Sequence, residues 1–228
     1  MANSLTIFLS LLGGVLPALF WLWFWLQEDR LHPEPRSKIL LVFLCGMVAV
    51  FFVLPLEKLV FTSLFQSLSV ITILLWASLE EIFKFLATYF SVLKSKEVDE
   101  PIDAIIYMIT AALGFSALEN SLFLSNLINL GNISDSLITG NSRFLGATLL
   151  HVASSASIGV MIALSYYKKP WLKKVFLFTG IGLSIVLHTI FNLLIIRLEK
   201  EIFFVFAGVW VLIISLILLI EKVKKINP

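Results

Sequence analysis

The stretch IFFVFAGVWVLIISLILLI, residues 202–220, decides the class of fold. It runs for nineteen residues without a charged side chain, and an α-helix needs about 20 apolar residues to cross the hydrocarbon core of a bilayer. The rest of the chain has the same character, because 59% of its 228 residues are hydrophobic and only 14% are charged, against roughly 25% in soluble domains. The composition therefore excludes a soluble globular protein and predicts an all-α bundle of membrane helices.

Six further apolar runs precede this stretch, and charged residues and prolines separate them. The connections are short, which predicts a single integral-membrane domain over residues 1–228 with about seven transmembrane helices. The predicted spans are residues 4–26, 39–56, 67–93, 102–128, 143–167, 174–196 and 202–220.

The distribution of lysine and arginine predicts how these spans are oriented. Alternate connections hold twelve basic residues on one side and four on the other, and Lys84, the seventeenth, lies within a span. The side richer in positive charge faces the cytoplasm, so we expect the N-terminus outside, the C-terminus inside, and a multi-pass protein of the cytoplasmic membrane. The basic residues are dispersed and the net charge is +2, which gives no case for nucleic-acid binding.

Ionisable side chains lie inside four of the predicted spans, where each costs about 2.5–3.5 kcal/mol to insert. At a rise of about 1.5 Å per residue, three of them lie about 12–14 Å in from the predicted outer boundary, and tilt of the third span could bring the others level. We therefore predict a shared polar site in the outer half of the membrane. Its residues are Glu80, Glu81 and Lys84 of the third span, Glu119 of the fourth, His151 of the fifth, and His188 and Asn192 of the sixth.

This set of side chains suits the hydrolysis of an amide bond. Glu80, beside a second carboxylate and a cation, suits a general base that activates water, and His188 and Asn192 on one helix face could stabilise the oxyanion. Alternatively, His151, His188 and Glu119 could hold Zn²⁺ and leave a fourth position for water, with Glu80 as the base. The residues leave both routes open, so the cofactor is either none or zinc. HExxH and GxGD motifs are absent from the sequence, and no serine lies in a G-x-S-x-G elbow.

Four short motifs follow one another in the core at about residues 67–196. Glu80 to Lys84 matches EExxK, Phe115 to Asn120 matches FxxxEN, His151 opens HVASSASIG, and His188 to Asn192 matches HxxxN. In this order and spacing the chain resembles the PrsW family of intramembrane proteases, relatives of the type II CAAX prenyl endopeptidases. EDRLHPEPR at 28–36, DEPIDAIIY at 99–107, and Arg143 ahead of the fifth span add to the resemblance, which runs from about residue 28 to 195.

The resemblance implies site-1 cleavage of a single-span membrane protein, typified by an anti-sigma factor, on the extracytoplasmic side. By position, Glu80 would activate water with help from Glu119, His188 and Asn192 would stabilise the oxyanion, and Glu81 and Lys84 would orient the base. In the CAAX relatives the position of Glu119 is usually His, and an Arg stands where this chain has Phe85. Descriptions of the PrsW group name it metalloprotease, whereas the related endopeptidases are considered glutamate-dependent.

Two other functions use the same residues. A proton-coupled transporter or channel would use Glu80, Glu119 and the histidines as a proton relay, but it also needs a polar path through the cytoplasmic halves of the spans, which are largely apolar. A non-catalytic scaffold of the same superfamily is the second alternative. The presence of both histidines and Asn192 together with the glutamates favours the protease.

Overall fold

The computed structural model describes residues 4–65, 67, 69–130, 143–197 and 202–226, and nearly all of them are helical. Seven α-helices correspond one to one with the predicted spans, which confirms the predicted fold class, and no strand occurs in these ranges. The helices are α1 Ser4–Leu26, α2 Arg36–Leu59, α3 Val70–Thr88, α4 Asp103–Asn129, α5 Thr148–Leu164, α6 Pro170–Arg197 and α7 Ile202–Val223.

Six of these helices are long and apolar enough to cross a membrane by length and composition. The exception is α3, which carries Glu80, Glu81 and Lys84 within its 19 residues. All three of these side chains are buried inside the bundle. The protein therefore hides the charges of α3 among the other helices, where polar partners can compensate them.

Short segments of other helical geometry extend several of the helices. A 3₁₀ turn, Gln27–Asp29, follows α1. Segments of π-helix follow α2 and α3 at Val60–Phe65 and Tyr89–Leu93, and a third, Arg143–Ala147, leads into α5. Such widened turns are frequent at functional sites because they change the direction in which side chains point.

Helix α4 forms the centre of the bundle. Every residue from 101 to 118 is buried, and the helix packs against α1, α2 and α5. Its contact with α2 is a backbone contact, because a Cβ atom on Gly114 would collide with the carbonyl oxygen of Phe43 and one on Gly46 with that of Ala111. Small residues at helix crossings allow this close approach in membrane proteins.

The polar site is built where α3, α4, α5 and α6 come together. Helix α6 packs against both α3 and α5, and α3 also packs against α4. Helix α7 covers the outside of α5 and takes no part in the site. The four helices that carry the predicted site residues are thus neighbours in the folded protein.

Candidate active site

The ionisable residues of α3, α4, α5 and α6 form one connected cluster. Glu81 and Lys84 are fully buried, and Glu80, His151 and His188 are at most 6% exposed. Charges in such surroundings are stable only when they are paired and hydrogen-bonded. The contacts within the cluster therefore determine what each residue can do.

Glu81 is the most heavily engaged carboxylate. Both of its oxygens are occupied, so Glu81 is a fixed buried charge that orients its neighbours and is a poor candidate for a base. Its Oε1 accepts from Lys84 Nζ (2.8 Å), Ser154 Oγ (3.0 Å) and His188 Nδ1 (2.7 Å), and its Oε2 accepts from Ser155 Oγ (2.7 Å) and Ser184 Oγ (2.7 Å).

Three of these partners, the serines, were missed by the sequence reasoning. A serine inside a helix bonds to its own backbone at little cost, so its presence carries no signal of the kind that a buried charge does. Ser184 nevertheless lies four residues before His188, as Asn192 lies four after it. A search of the His188 face at helical spacing would have found it.

The contact with Glu81 fixes the state of His188. Nδ1–H donates to Glu81 Oε1, so the lone pair of Nε2 is left facing the cluster. Nε2 lies 3.8 Å from Glu80 Oε2. A carboxylate behind an imidazole is the usual arrangement that orients a metal-binding or catalytic histidine.

Lys84 and His151 connect the two ends of the cluster. The three N–H groups of the Lys84 ammonium have three partners, at 2.8 Å to Glu81 Oε1, 3.3 Å to Glu80 Oε2 and 2.8 Å to His151 Nδ1. Because His151 Nδ1 accepts from Lys84, its Nε2 carries the hydrogen and donates to Glu119 Oε2 at 3.1 Å. His151 thus links the charges of α3 to Glu119.

Glu119 lies at the edge of the cluster, with its side chain 27% exposed. Arg143 Nη2 donates to Glu119 Oε2 at 2.7 Å, and Arg143 Nε donates to Asn120 Oδ1. Asn120 in turn donates to Ser116 Oγ and Thr148 Oγ1, which ties α4 to the start of α5. A cation, Arg143, therefore holds Glu119 on the more exposed side of the cluster.

Glu80 is the least engaged of the three carboxylates. Beyond the 3.3 Å bond from Lys84, its Oε2 lies 3.6 Å from His151 Nδ1 and 3.8 Å from His188 Nε2, both longer than hydrogen bonds. Glu57, at the end of α2, lies close to Glu80 and adds a further carboxyl to its surroundings. The sequence reasoning missed Glu57, because it ended the second span at residue 56.

Asn192 lies one turn beyond His188 on α6 and is partly buried. Its side chain makes no hydrogen bond to the part of the chain that the structure describes. The predicted oxyanion role of Asn192 needs a free amide N–H, and this arrangement leaves one.

Three residues of the cluster are close enough to share a metal ion. Glu80, His151 and His188 each offer one ligand atom, and the three atoms lie within 4.8 Å of one another. The ligand set predicted from the sequence combined the two histidines with Glu119. The structure puts Glu80 beside the histidines and pairs Glu119 with Arg143, so Glu80 is the carboxylate better placed for this role.

Comparison with known proteins decides the family. Residues 34–219 match the family model described as "PrsW family intramembrane metalloprotease". The chain belongs to the PrsW family. It is 29% identical over 192 residues to Protease PrsW of Geobacillus kaustophilus, covering 82% of this chain and 80% of that relative. It is 26% identical to Protease PrsW of Halalkalibacterium halodurans over 96% of this chain and 98% of that protein, and 28% identical to Protease PrsW of Clostridioides difficile over 98% and 93%. No solved structure matches the chain significantly.

Membership of the PrsW family confirms that the chain is a membrane protease with several helices in the bilayer. The matched region contains all the residues of the buried cluster. The transporter, channel and scaffold alternatives lose their support.

The metalloprotease description of the PrsW family can be tested against the donor set. Two imidazoles and one carboxylate are a ligand set of catalytic zinc, which leaves a position for water, and Glu81 supplies the outer-shell contact to His188. Lys84 competes with a metal ion for the lone pair of His151 Nδ1, because Lys84 Nζ lies 2.8 Å from that nitrogen. The residues fit a metal ion, provided that Lys84 withdraws to Glu81.

Proposed function

We propose that the protein is an endopeptidase that cleaves membrane-anchored proteins in the outer half of the cytoplasmic membrane, with Glu80 as the base that activates water. The observation that carries this proposal is the unequal engagement of the three carboxylates. Five donors engage Glu81, and Arg143 and His151 engage Glu119, whereas Glu80 accepts a 3.3 Å hydrogen bond from Lys84. Glu80 is therefore the carboxylate best able to take a proton.

In the proposed reaction, the water oxygen bonds to the carbonyl carbon of the scissile peptide while Glu80 takes one proton from that water. Negative charge develops on the carbonyl oxygen, and Asn192 has a free amide N–H to donate to it. His188 donates as well when Nε2 is protonated, because Glu81 already holds its Nδ1–H. The proton on Glu80 then passes to the amide nitrogen as the C–N bond breaks, which yields a carboxylic acid and an amine.

The substrate we propose is a single-span membrane protein of the anti-sigma-factor type. The motifs in common with the PrsW family support this substrate, together with the predicted orientation, in which Glu119 and Arg143 lie toward the outer face. Twelve basic residues on one side of the membrane against four on the other support that orientation.

New protein N-termini test the reaction and its location. Membranes from cells that express wild type, Glu80→Gln or Glu221→Gln at equal levels would be compared. Glu221 is a surface residue on α7, so Glu221→Gln makes the same chemical change away from the cluster. We expect new termini just outside single-span segments with wild type and Glu221→Gln, and none with Glu80→Gln. Termini that persist in Glu80→Gln, or that lie on the cytoplasmic side, would contradict the proposal.

We propose Zn²⁺ as the ion of this site, held by Glu80, His151 and His188. Imidazole ligands favour zinc over the hard cations, and when bound it would supply Lewis-acid polarisation of the water or the carbonyl group. This zinc route replaces the roles given above, because Glu80 and His188 as ligands are not free to take the proton of the water or to donate to the oxyanion. Glu80 is required in both routes, as the base in one and as a ligand in the other.

Elemental analysis of the purified protein tests the ligand set. We expect stoichiometric zinc in wild type and in Glu119→Gln, and its loss in His151→Ala and His188→Ala. Zinc lost in Glu119→Gln but kept in Glu80→Gln would restore the set predicted from the sequence. Active protein without bound metal would overturn the zinc proposal and leave Lys84 as the cation of the site.

A further inference from the structure

A second group of carboxyls lies at the other end of α4. Asp29 from the turn after α1, Glu34 from the loop before α2, and Asp103 from the first turn of α4 each offer an oxygen, and these oxygens lie within 4.8 Å of one another. Asp103 and Glu119 are separated by 16 residues of one helix, or about 24 Å. This acidic group is therefore separate from the candidate active site.

Burial makes the acidic group unusual. Asp29 is 5% exposed and Asp103 is 1% exposed. Asp103 Oδ2 accepts from the backbone N–H groups of Asp99 (2.8 Å) and Glu100 (2.7 Å), and Glu34 accepts from the Tyr107 hydroxyl. Asp29 Oδ2, in contrast, is buried without a hydrogen-bond partner in the part of the chain that the structure describes. A buried carboxylate oxygen left unpaired costs free energy, so this atom points to a missing partner.

The missing partner of these carboxyls is not a cationic side chain of the described residues. Among the described residues, no Lys, Arg or His nitrogen forms an ion pair with any of the three carboxyls. Of the nearby cations, Lys224 pairs with Glu28 and His32 pairs with Glu100, while Arg30 and Arg36 make no ion pair with the described carboxyls of this group. Asp29 also lines a cavity of about 430 Å³, together with polar residues such as Glu28, His32 and Glu100.

We propose that Asp29, Glu34 and Asp103 bind a divalent cation of the hard type, Mg²⁺ or Ca²⁺. An all-oxygen set of carboxylates favours these ions, in contrast to the imidazole-rich cluster at the other end of α4. The ion joins the end of α1, the loop before α2 and the start of α4, so it fixes this loop against the central helix. The carboxyls come from EDRLHPEPR and DEPIDAIIY, two stretches that the peptidase chemistry leaves without a role.

Terbium luminescence of the full-length protein in detergent tests this site, because Tb³⁺ replaces Ca²⁺ at oxygen ligands and is excited by nearby aromatic rings. Tyr107 touches Glu34, and Trp25 lies one turn before Asp29, so both can act as energy donors. We expect a signal that Mg²⁺ or Ca²⁺ competes away. Asp29→Asn and Glu34→Gln should each weaken Tb³⁺ binding at least about tenfold, since even outer-shell changes have effects of that size.

Two matched variants keep the test specific. Glu28→Gln removes a carboxylate next to Asp29 in the chain that pairs with Lys224, and Glu80→Gln removes one from the other cluster. Both should bind Tb³⁺ as wild type does. Glu34 is only partly buried, so Glu34→Gln should fold, and size-exclusion chromatography checks this. An absent signal, or one that survives both Asp29→Asn and Glu34→Gln in folded protein, would overturn the proposal and leave protons as the agents that neutralise the carboxyls.

Discussion

The pair formed by Glu81 and Lys84 is held by more contacts than its two charges alone would provide. Glu81 has five donors and Lys84 has three acceptors, and neither side chain is exposed. Removing one partner of a buried ion pair leaves the other charge uncompensated, which usually costs about 3–5 kcal/mol. Removing both charges together costs much less. The pair therefore contributes to stability only while both charges are present.

Glu81→Gln should lower the free energy of unfolding by about 3–5 kcal/mol, because Lys84 loses its closest charge partner. Denaturation of the purified protein in detergent measures the change. The double variant Glu81→Gln/Lys84→Met should recover part of the loss, because it leaves no unpaired ammonium. A single variant as stable as wild type would show that Glu81 is not the centre of the network.

Ser184→Ala tests a smaller part of the same network. The hydroxyl donates to Glu81 at 2.7 Å, and a hydrogen bond to a charged group contributes about 1.5–3 kcal/mol. Ser215→Ala is the matched control, because Ser215 donates only to the carbonyl of Val211 on its own exposed helix face. We expect lower thermal stability and lower kcat for Ser184→Ala, and little change for Ser215→Ala. Equal effects would place Ser184 outside the site.

Ionisable residues within the predicted spans made part of the site predictable from the sequence. Its uncharged residues, and a charged residue outside those spans, could not be found in this way. Glu80, Lys84 and His188 could be found because each is expensive in a membrane span. The serines around Glu81 carry no such cost, and Glu57 lay just beyond a predicted span end. The choice between Glu80 and Glu119 as a metal ligand depends on the distances between side chains of different helices. The sequence gives only the depth of each residue along its own helix, so it could not decide this choice.

Backbone contact between α2 and α4 sets the position of the central helix. Gly114 faces the carbonyl oxygen of Phe43, and Gly46 faces that of Ala111. A carbonyl oxygen in a helix cannot move aside as a flexible side chain does. An added methyl group must therefore push the two helices apart, which would also move Glu119 relative to the residues of α3.

Gly114→Ala should lower the stability of the protein by at least about 1–3 kcal/mol, the usual cost of overpacking. Gly182→Ala on α6 is the matched control, because nothing lies within 4 Å of an added Cβ there. At that position the better helix propensity of alanine should leave the stability unchanged or raise it by up to about 1 kcal/mol. Unfolding in detergent measures both changes. Equal stability of the two variants would mean that α2 and α4 are not in backbone contact.

The helices themselves could be predicted from hydropathy, but their ends could not. The predicted third span, 67–93, joins a capped start, helix α3 and a π-helical turn into one run. Ser69 accepts from the backbone N–H of Thr72 and begins α3 there, and the helix widens at Tyr89. Apolar composition continues through both points, so hydropathy does not detect either change.

The whole molecule separates its polar groups between two ends of the bundle. Asp29, Glu34 and Asp103 bring the loop before α2 and the start of α4 together, although 69 residues of chain separate Glu34 from Asp103. Glu119 and Arg143 lie near the opposite end of α4. This agrees with the alternation of connections, in which both loops fall on the side with more positive charge. The distribution of lysine and arginine predicts that this side faces the cytoplasm.

Single-cysteine labelling tests the orientation of the bundle. In a Cys45→Ala background, Leu130→Cys at the end of α4 should react with a membrane-impermeant maleimide on intact cells. Leu31→Cys should react only after the membrane is opened. The two leucines are 74% and 90% exposed, so burial would not explain a difference between them. Reaction of Leu31→Cys on intact cells, with protection of Leu130→Cys, would invert the bundle and put Glu80 nearer the cytoplasm, where cleavage on the extracytoplasmic side is out of its reach.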